Sequence, residues 1–458
     1  MIMTNEIDLT TGSLWKKIFL FSLPLIASNI LQVLFNMSDI AVVGKFSGDI
    51  ALGAVGSTTI LVTLFTGFLI GIGNGVNVLI AKYIGEEDKQ SIKIGVLTSL
   101  ITSIIVGLII LVLGVSLARF FLNIIDTKDD LIDRATLYLR IYFLGMPALA
   151  IYNCGCGIYS ASGNTKRPLI YLFLAGIINV ILNLFFVVIC HMSVEGVAIA
   201  SIISQYISAT LIVISLAKEK SSCKLIFKDN KFNIQYCIKV LKLGIPSGFQ
   251  NSIFAIANLF IQKGVNSFDS IMVEGNSAAT NFDALIYDVM AAFYMACSSF
   301  IGQNFGAKKK KRVINTYFIT LIYSFCFGAI LGILLLLFGK EFLRIFTSSD
   351  VVIEAGLKRI RIMALSYMVS AFMDNTIAAS RGLGKTIVPT IIVIIGSCIF
   401  RIAWIYTIFA YFHTIKSLYL LYIFSWSITS IFEIIYFIFV YTKTFKDYNN
   451  EENTLVTC

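Results

Sequence analysis

Charged residues, histidine and proline are all scarce in this chain of 458 residues. Only 14% of the residues are charged, 57% are hydrophobic and the mean hydropathy is +0.86, which excludes an ordinary soluble protein. The apolar segments must lie in lipid, and we expect an all-α membrane protein. The two histidines, His191 and His413, lie in predicted loops without an HExxH motif or a serine-histidine-aspartate set, which argues against an enzyme.

The cysteines do not indicate a disulfide framework or a redox site. They number nine, an odd count, and lie almost wholly inside apolar segments, where a thiol packs as a small hydrophobic group. Cys154 and Cys156 have no histidine nearby and are interpreted as packing residues. We therefore expect no cofactor.

The net charge of +10 does not indicate nucleic-acid binding, because the basic residues are divided among loops. No nucleic-acid partner is predicted. The first apolar segment is not followed by a small-residue cleavage site, so the first span is expected to be retained.

The sequence repeats itself at a distance of about 221 residues. Pro24 corresponds to Pro246, and Gly85 of AKYIGEEDK corresponds to Gly306 of GQNFGAKKK. The segment GNTKRP, ending at Pro168, corresponds to GKTIVP. Two homologous halves in one apolar chain are typical of transporters.

Charged loops and loops marked by Gly or Pro divide the chain into twelve apolar segments that approach or exceed the roughly 20 residues needed to cross a bilayer. The predicted spans are 15–43, 51–80, 94–118, 136–160, 168–190, 195–217, 239–262, 277–303, 313–338, 358–380, 387–411 and 417–442. The polar segments 126–134 and 347–354 are interpreted as short connecting helices near the surface. Gly71, Gly73 and Gly75 are not a phosphate loop and are expected to permit close helix packing or a bend.

The distribution of basic residues predicts the topology. Alternate loops counted from the N-terminus hold roughly twice as many Lys and Arg as the others, which places both termini of a multi-pass cell-membrane protein in the cytoplasm. Six spans per half make the halves parallel repeats. We expect two six-helix lobes around a central cleft: residues 1–217, a cytoplasmic linker 218–238, and residues 239–458 with a polar tail.

Polar residues occupy one face of the first span. Four of them recur at helical spacing: Asn29, Gln32, Asn36 and Asp39. Such a stripe cannot face lipid, so we expect it to face a cavity. Asn258 on the seventh span corresponds to Asn36, but the counterpart of Asp39 is Ile261. This asymmetry distinguishes Asp39.

Asp39 is the candidate ion-coupling residue. An ionised carboxylate in a span costs about 2.5 to 3.5 kcal/mol, so it is usually paired, hydrated or protonated. Asn179 and Asn183 share a face of the fifth span, and Ser201 begins the sixth. Their oxygen atoms suit a proton or, with Asp39 as the charged ligand, Na⁺. The alternative is that these side chains only connect helices through hydrogen bonds.

The second half carries its own intramembrane charges. They are Asp283 and Asp288 on the eighth span, Asp374 on the tenth, Arg401 on the eleventh and Glu433 on the twelfth. Arg401, taken as the one clear arginine within a span, is predicted to neutralise one acid. The candidate cavity residues are Gln32, Asn36, Asn258, Asp283 and Asp374. With 37 Phe and 20 Tyr, a cavity of this kind favours flat, lipophilic cations.

The chain resembles the multidrug and toxic compound extrusion (MATE) family over nearly its whole length. The resemblance rests on Pro24, on Asp39 followed by Val43-Gly44, on AKYIG, on Gly244-Ile-Pro246, on IGQNFGA at 301–307 and on RGLGKT at 381–386. It implies a twelve-span antiporter that exports drugs or metabolites in exchange for H⁺ or Na⁺.

The resemblance also implies site residues. Asp39 matches the first-helix acid of the family, Asn179 its fifth-helix Asn, and Ser201 a position where Thr is common. The family often has Asp where this chain has Asn183, which removes one carboxylate from the cation site. Asp283 is the preferred acid of the second half.

The mechanism we expect is alternating access of the two lobes, with ion binding at Asp39 bending the first span near Pro24. The partners are a lipophilic or cationic small molecule and membrane lipid, and the protein is expected to be a monomer. Two alternatives remain: a flippase for lipid-linked oligosaccharides, which predicts a cavity rich in Arg and Lys, and a receptor or scaffold that does not transport.

Overall fold

The computed structural model describes residues 7–226 and 231–456, apart from the side chains of Asp49 and residues 447–456. Residues 227–230 of the predicted linker and 457–458 of the polar tail lie outside this description. Helices are the only regular secondary structure in the described part of the chain. They are α1 Leu14–Phe46, α2 Asp49–Gly85, α3 Lys89–Ile124, α4 Asp129–Phe143, α5 Met146–Ala161, α6 Lys166–Ile189, α7 Val194–Ala217, α8 Ile234–Val265, α9 Ser270–Gly306, α10 Lys310–Leu343, α11 Asp350–Gly382, α12 Ile387–Phe412 and α13 Ile415–Val456.

The helices confirm the prediction of an all-α, multi-span membrane protein. Ten of those described are long and apolar enough to cross a membrane, and α4 with α5 forms an eleventh candidate span, bent by 47°. Each predicted span falls on one helix or on this bent pair. The predicted count of twelve depends on α8, which has 32 residues but is too polar to join the apolar set.

The predicted surface helices at 126–134 and 347–354 are wrong as separate elements. Asp129 begins α4 and Asp350 begins α11, and both helices continue into the spans. The first of these spans is broken because Gly145 separates α4 from α5 and Pro147 begins the next turn without a backbone N–H. The corresponding residues of the second half, Ser366 and Met368, allow α11 to continue unbroken.

The two halves of the chain have the same backbone conformation at corresponding turns. Three pairs of corresponding residues have positive φ: Gly163 (84°) and Gly384 (76°), Glu87 and Lys308 (57° each), and His191 (53°) and His413 (45°). Both histidines therefore occupy equivalent turns between helices.

The chain forms two compact units. Unit 1 contains the described residues up to Asp8 together with Leu23–Ala255, and unit 2 contains Leu9–Ser22 and the chain from Ile256 onward. The first nine residues of α1 belong to unit 2 and the rest of α1 to unit 1. These units differ from the lobes 1–217 and 239–458 at the beginnings of α1 and α8.

Glycines explain why the start of α8 belongs to unit 1. Gly71 of α2 lies against Gly248 of α8, where an added Cβ would be 2.2 Å from the Gly248 nitrogen. Gly75 meets Gly244 in the same way, at 2.6 Å. Gly73 faces α5: a Cβ added at Gly73 would lie 2.7 Å from the carbonyl oxygen of Asn153. The expectation that these glycines permit close helix packing is confirmed.

Polar contacts explain why the start of α1 belongs to unit 2. Arg312 at the start of α10 donates hydrogen bonds to the carbonyls of Gly12 (2.9 Å) and Leu9 (3.2 Å). Asn304 at the end of α9 donates to the Leu9 carbonyl at 3.0 Å, and Lys309 to that of Thr10 at 2.9 Å. The segment before α1 is thus fixed by the motif GQNFGAKKK and the residues that follow it.

Candidate functional site

A cavity of about 300 Å³ lies within unit 1. It is surrounded by α1, α2, α4, α5, α6 and α7. Five of the residues expected at the ion or substrate site line it: Gln32, Asn36, Asp39, Asn179 and Ser201. The structure therefore brings three residues of the polar stripe of α1, all except Asn29, together with the polar residues of α6 and α7.

Asp39 is held at this cavity by side chains from two other helices. Asn183 donates a hydrogen bond from Nδ2 to Oδ1 of Asp39 at 2.5 Å, and Ser201 donates from Oγ to Oδ2 at 3.2 Å. Asn179 accepts from Asn183 at 3.2 Å and donates to Ser201 at 3.4 Å. The four residues form one network in which both carboxylate oxygens have a donor.

Asn183 lies behind the cavity wall. Its side chain is fully buried at 0% exposure, and its Oδ1 has no hydrogen-bond partner. A buried carbonyl oxygen without a donor is unfavourable. It belongs to the same amide group whose Nδ2 donates to Asp39.

Asp39 is the only acid or base that lines the cavity in the described chain, and the lining includes no Lys, Arg or His. None of the ion pairs among residues 7–226 and 231–456 includes Asp39. Its charge is therefore balanced only by hydrogen-bond donors. This cavity therefore lacks the Arg and Lys side chains that the flippase alternative predicts.

Aromatic side chains form part of the cavity wall. Phe35, Tyr138, Tyr142 and Tyr152 line it, and the rings of Tyr138 and Tyr142 stack at 5.9 Å. Gly176 of α6 makes room for Phe35, because a Cβ there would lie 1.8 Å from the Phe35 ring. Sequence reasoning had named no aromatic residue.

Sequence reasoning also missed the contribution of α2. Thr59, Thr63 and Thr66 line the cavity at positions i, i+4 and i+7, a spacing that places them on one helical face. This signal was present in the sequence. Each hydroxyl donates mainly to a carbonyl one turn earlier, as Thr63 does to Thr59 at 2.8 Å, so the threonines present a weakly polar surface.

Pro24 lies within α1, two residues after the point where the helix passes from unit 2 to unit 1. Its carbonyl accepts a hydrogen bond from Ser28 Oγ at 2.9 Å. Because proline has no N–H, the helix lacks one backbone bond at this boundary.

The second-half candidates do not join this cavity. Asn258 is exposed on the part of α8 that belongs to unit 2. Asp283 is buried and paired with Arg359 of α11, whose Nε donates to Oδ2 at 2.8 Å. Asp374 is buried on α11, at 7% exposure.

The expectation of one clear arginine within the spans is wrong, because Arg359 is buried in α11 at 5% exposure. Arg401 is also buried, at 2%. Its Nε donates to Ser425 Oγ at 3.1 Å, and its guanidinium lies 4.7 Å from the centre of the Tyr422 ring. Asp374 is within its electrostatic range.

The described residues contain no group of three or more His, Cys, Asp or Glu side chains that could hold a metal ion. Cys154 and Cys156 of α5 form no disulfide. A multivalent metal centre therefore has no ligand set in the described chain.

The comparisons with known proteins agree with this architecture. The MatE family model matches residues 24–185 and again 246–407, so its two matches begin at Pro24 and Pro246. The probable multidrug resistance protein YpnP of Bacillus subtilis is 28% identical over 365 residues, covering 79% of this chain and 80% of that protein. The probable multidrug resistance protein NorM of Thermotoga maritima is 25% identical over 408 residues, covering 87% and 86%.

Solved structures show the same fold. The outward-facing conformation of a multidrug resistance MATE family transporter of the MOP superfamily superposes with a TM-score of 0.89 at 20% identity, covering 97% of this chain and 100% of that one. With a family model that matches both halves of the chain and relatives of nearly equal length, this protein belongs to the MATE family of multidrug efflux transporters.

Proposed function

We propose that this protein is a secondary antiporter that exports lipophilic, often cationic, small molecules in exchange for H⁺ or Na⁺. It acts by alternating access, as a monomer in the cell membrane with both termini in the cytoplasm. The observation that carries this proposal is the cavity of unit 1, in which Asp39 is the only charged lining residue of the described chain.

One carboxylate can couple two opposed fluxes by competition. When Asp39 is ionised, the cavity has one negative charge and attracts a cationic substrate. When a proton or Na⁺ occupies Asp39, the cavity is neutral and that attraction is lost. The ion and the substrate therefore favour different states of one site, and this difference in affinity is what coupling requires.

The cavity walls indicate the substrate class. A volume of about 300 Å³ is at the lower end of the range for small-molecule sites. Phe35, Tyr138 and Tyr142 offer aromatic faces, which attract organic cations at about 0.5 to 2 kcal/mol per contact. Hydroxyl and amide groups provide the remaining polar contacts. A flat molecule with one positive charge fits this combination.

The donor set is compatible with either coupling ion. A proton would neutralise Asp39 without other ligands. Na⁺ would require further oxygen atoms, for which Asn183 Oδ1 and Ser201 Oγ are available after reorientation of the amide. With Asn183 in place of a second acid, the charge of either ion is matched by a single carboxylate.

The helix that carries Asp39 also provides a means of movement. Pro24 weakens α1 where the helix passes between the two compact units, so this point is where α1 would bend as the site changes occupancy. Pro246 of α8 lies well inside unit 1, beside the close contacts of Gly244 and Gly248. We therefore assign the bending role to Pro24 alone.

The test is coupled flux in proteoliposomes, measured with a panel of lipophilic cations under separate pH and Na⁺ gradients. Asp39→Asn should abolish substrate-dependent H⁺ or Na⁺ movement. Asp133→Asn is the matched control, because Asp133 is exposed and pairs with Arg119 at 2.8 Å away from the cavity. Coupled efflux that persists in Asp39→Asn would refute the assignment.

A further inference from the structure

Glu433 is a buried acid that the proposed function does not use. It lies on α13 at 0% exposure, and neither of its carboxylate oxygens has a hydrogen-bond partner. Buried polar groups are almost always hydrogen-bonded, and an ionised carboxylate without a partner is the costliest exception. The chemistry of this group therefore requires an explanation.

The neighbouring turns of α13 show why Glu433 has no partner. Ser425 accepts a hydrogen bond from Arg401 of α12 at 3.1 Å, and Thr429 and Ser397 share one at 2.9 Å. Glu433 follows Thr429 by one turn of α13, and no hydrogen bond joins its carboxylate oxygens to α12. The polar contacts between α12 and α13 stop at the turn that carries the acid.

Charged and titratable groups surround this point from several helices. Asp374 and Arg381 on α11 interact electrostatically with Glu433, and Arg401 on α12 interacts with Asp374. Tyr287 of α9 is within range of Asp374 and both arginines, and Tyr436 lies on α13 itself. All of these residues belong to unit 2.

The cluster contains two arginines, Arg381 and Arg401, and two acids, Asp374 and Glu433. Arg401 and Asp374 are both buried, at 2% and 7% exposure, and their opposite charges offset each other. Arg381 is half-buried near the end of α11 and lies within electrostatic range of Glu433. Neither carboxylate oxygen of Glu433 is hydrogen-bonded, and Asp374 Oδ2 is also a buried atom without a hydrogen bond.

We propose that Glu433 and Asp374 form a second proton-binding site, located in unit 2, and that Glu433 carries the proton in the conformation described. Its release breaks the O–H bond of the carboxyl group and passes the proton to water. The carboxylate left behind is stabilised by Arg381, which lies within its electrostatic range. The ligand is H⁺, which neutralises a carboxyl group without requiring further oxygen ligands.

Proton binding here is a property of unit 2 and stands without any assumption about transport. Its use in transport rests on the proposed antiport function: a second proton would then cross with each cycle, in addition to the ion at Asp39. The RGLGKT motif would participate through Arg381, its first residue.

The test is infrared spectroscopy of the full-length protein in membranes, in which a protonated carboxyl group has its own carbonyl band. Glu433→Gln should remove one such band at neutral pH. Glu341→Gln is the matched control, because Glu341 is exposed on α10 of the same unit, and it should leave the band unchanged. Glu433→Met, which fills a similar volume without the carboxyl group, should remove the same band if the Gln variant does not fold.

The outcomes separate the two proposals. A spectrum that is identical in the wild type and in both Glu433 variants would overturn the second site. If the band is lost but neither the wild type nor any variant shows coupled flux, the proton site stands and the antiport function fails. If flux is coupled, Glu433→Gln should lower the number of protons moved per substrate by one, measured from the reversal potential.

Discussion

Arg359 and Asp283 form an ion pair inside unit 2, in which Nε and Nη2 of the guanidinium both donate to Oδ2 of the carboxylate, at 2.8 and 2.5 Å. The remaining arm of the guanidinium donates to Asn276 at 2.7 Å, and Tyr419 donates to the same amide oxygen at 2.6 Å. Asp283 is thus occupied by a fixed counter-charge, unlike Asp39. This difference assigns a structural role to Asp283.

Breaking this pair should destabilise unit 2. Asp283→Asn leaves the buried guanidinium of Arg359 without its counter-charge, and we expect a loss of about 3 to 5 kcal/mol in the free energy of unfolding. The measurement is thermal unfolding of the purified protein in detergent. Arg361→Met is the control, because Arg361 is exposed on the same helix and its ion pair with Glu354 is 4.0 Å long. An unaltered melting temperature in Asp283→Asn would contradict the structural role.

The hydroxyl of Ser201 should affect ion affinity at Asp39. Ser201→Ala removes the donor to Oδ2 at 3.2 Å, and hydrogen bonds to charged groups contribute about 1.5 to 3 kcal/mol. We expect the apparent affinity for the coupling ion to change by about tenfold or more. Ser204→Ala is the matched control, since Ser204 lines the same cavity but donates to the Ala200 carbonyl of its own helix. Equal effects of the two variants would show that Ser201 does not act through Asp39.

A second carboxylate beside Asp39 should alter the choice of ion. Asn183→Asp replaces a donor to Asp39 by an acid, so two carboxylates would share the site and a bound cation would be favoured. We expect transport to become more dependent on Na⁺, measured as flux under a Na⁺ gradient at constant pH. Asn153→Asp, which places an acid elsewhere on the cavity wall, is the control. No increase in Na⁺ dependence would exclude Asn183 from the ion site.

The contact between α2 and α8 should not tolerate a side chain at Gly71. Gly71→Ala places a Cβ 2.2 Å from the backbone of Gly248, so the helices must separate and unit 1 should lose stability. Gly56→Ala is the control in the same helix: nothing lies within 4 Å of its Cβ position, and Ala favours a helix by up to about 1 kcal/mol. The two variants should therefore differ strongly in melting temperature. Similar values would show that the contact is loose.

Arg312 should hold the segment before α1 in its position. Arg312→Gln removes donors to the carbonyls of Leu9, Thr11 and Gly12. Hydrogen–deuterium exchange of residues 9–13 should then increase. Lys311→Gln is the control, because Lys311 is the exposed neighbour and should leave the exchange unchanged. Unchanged exchange in Arg312→Gln would indicate that Asn304 and Lys309 suffice.

The helices, the cavity-facing side of α1 and the close packing of α2 could be predicted from local sequence patterns. Apolar segments of spanning length predicted the helices, and the spacing of Gln32, Asn36 and Asp39 predicted that α1 faces a cavity. Residues at helical spacing lie on one face of a helix, and the number of apolar residues gives the length of a span. Neither inference needs a contact with another part of the chain. The glycine spacing in α2 likewise predicted close packing, because only residues without a Cβ permit it.

Other features depended on contacts between residues distant in sequence. Asn304 and Arg312 donate hydrogen bonds to the chain near Leu9, about 300 positions earlier. No sequence pattern in either segment predicts this contact. Arg359 pairs with Asp283 across two helices, whereas Arg401 does not occupy that position. The break between α4 and α5 could have been expected from Gly145 and Pro147, and its absence from α11 from their replacements.

The sequence by itself determined that this chain crosses the membrane many times in two related halves, because hydropathy and repetition need no partner to be read. It also determined that Asp39 has no counterpart. Only the tertiary structure decided which acids have a fixed counter-charge. The role of a buried carboxylate depends on the groups that pack against it, and these come from other helices. Asp283 pairs with an arginine, and Asp39 accepts hydrogen bonds only from uncharged donors. The carboxylate oxygens of Glu433 have no hydrogen-bond donor.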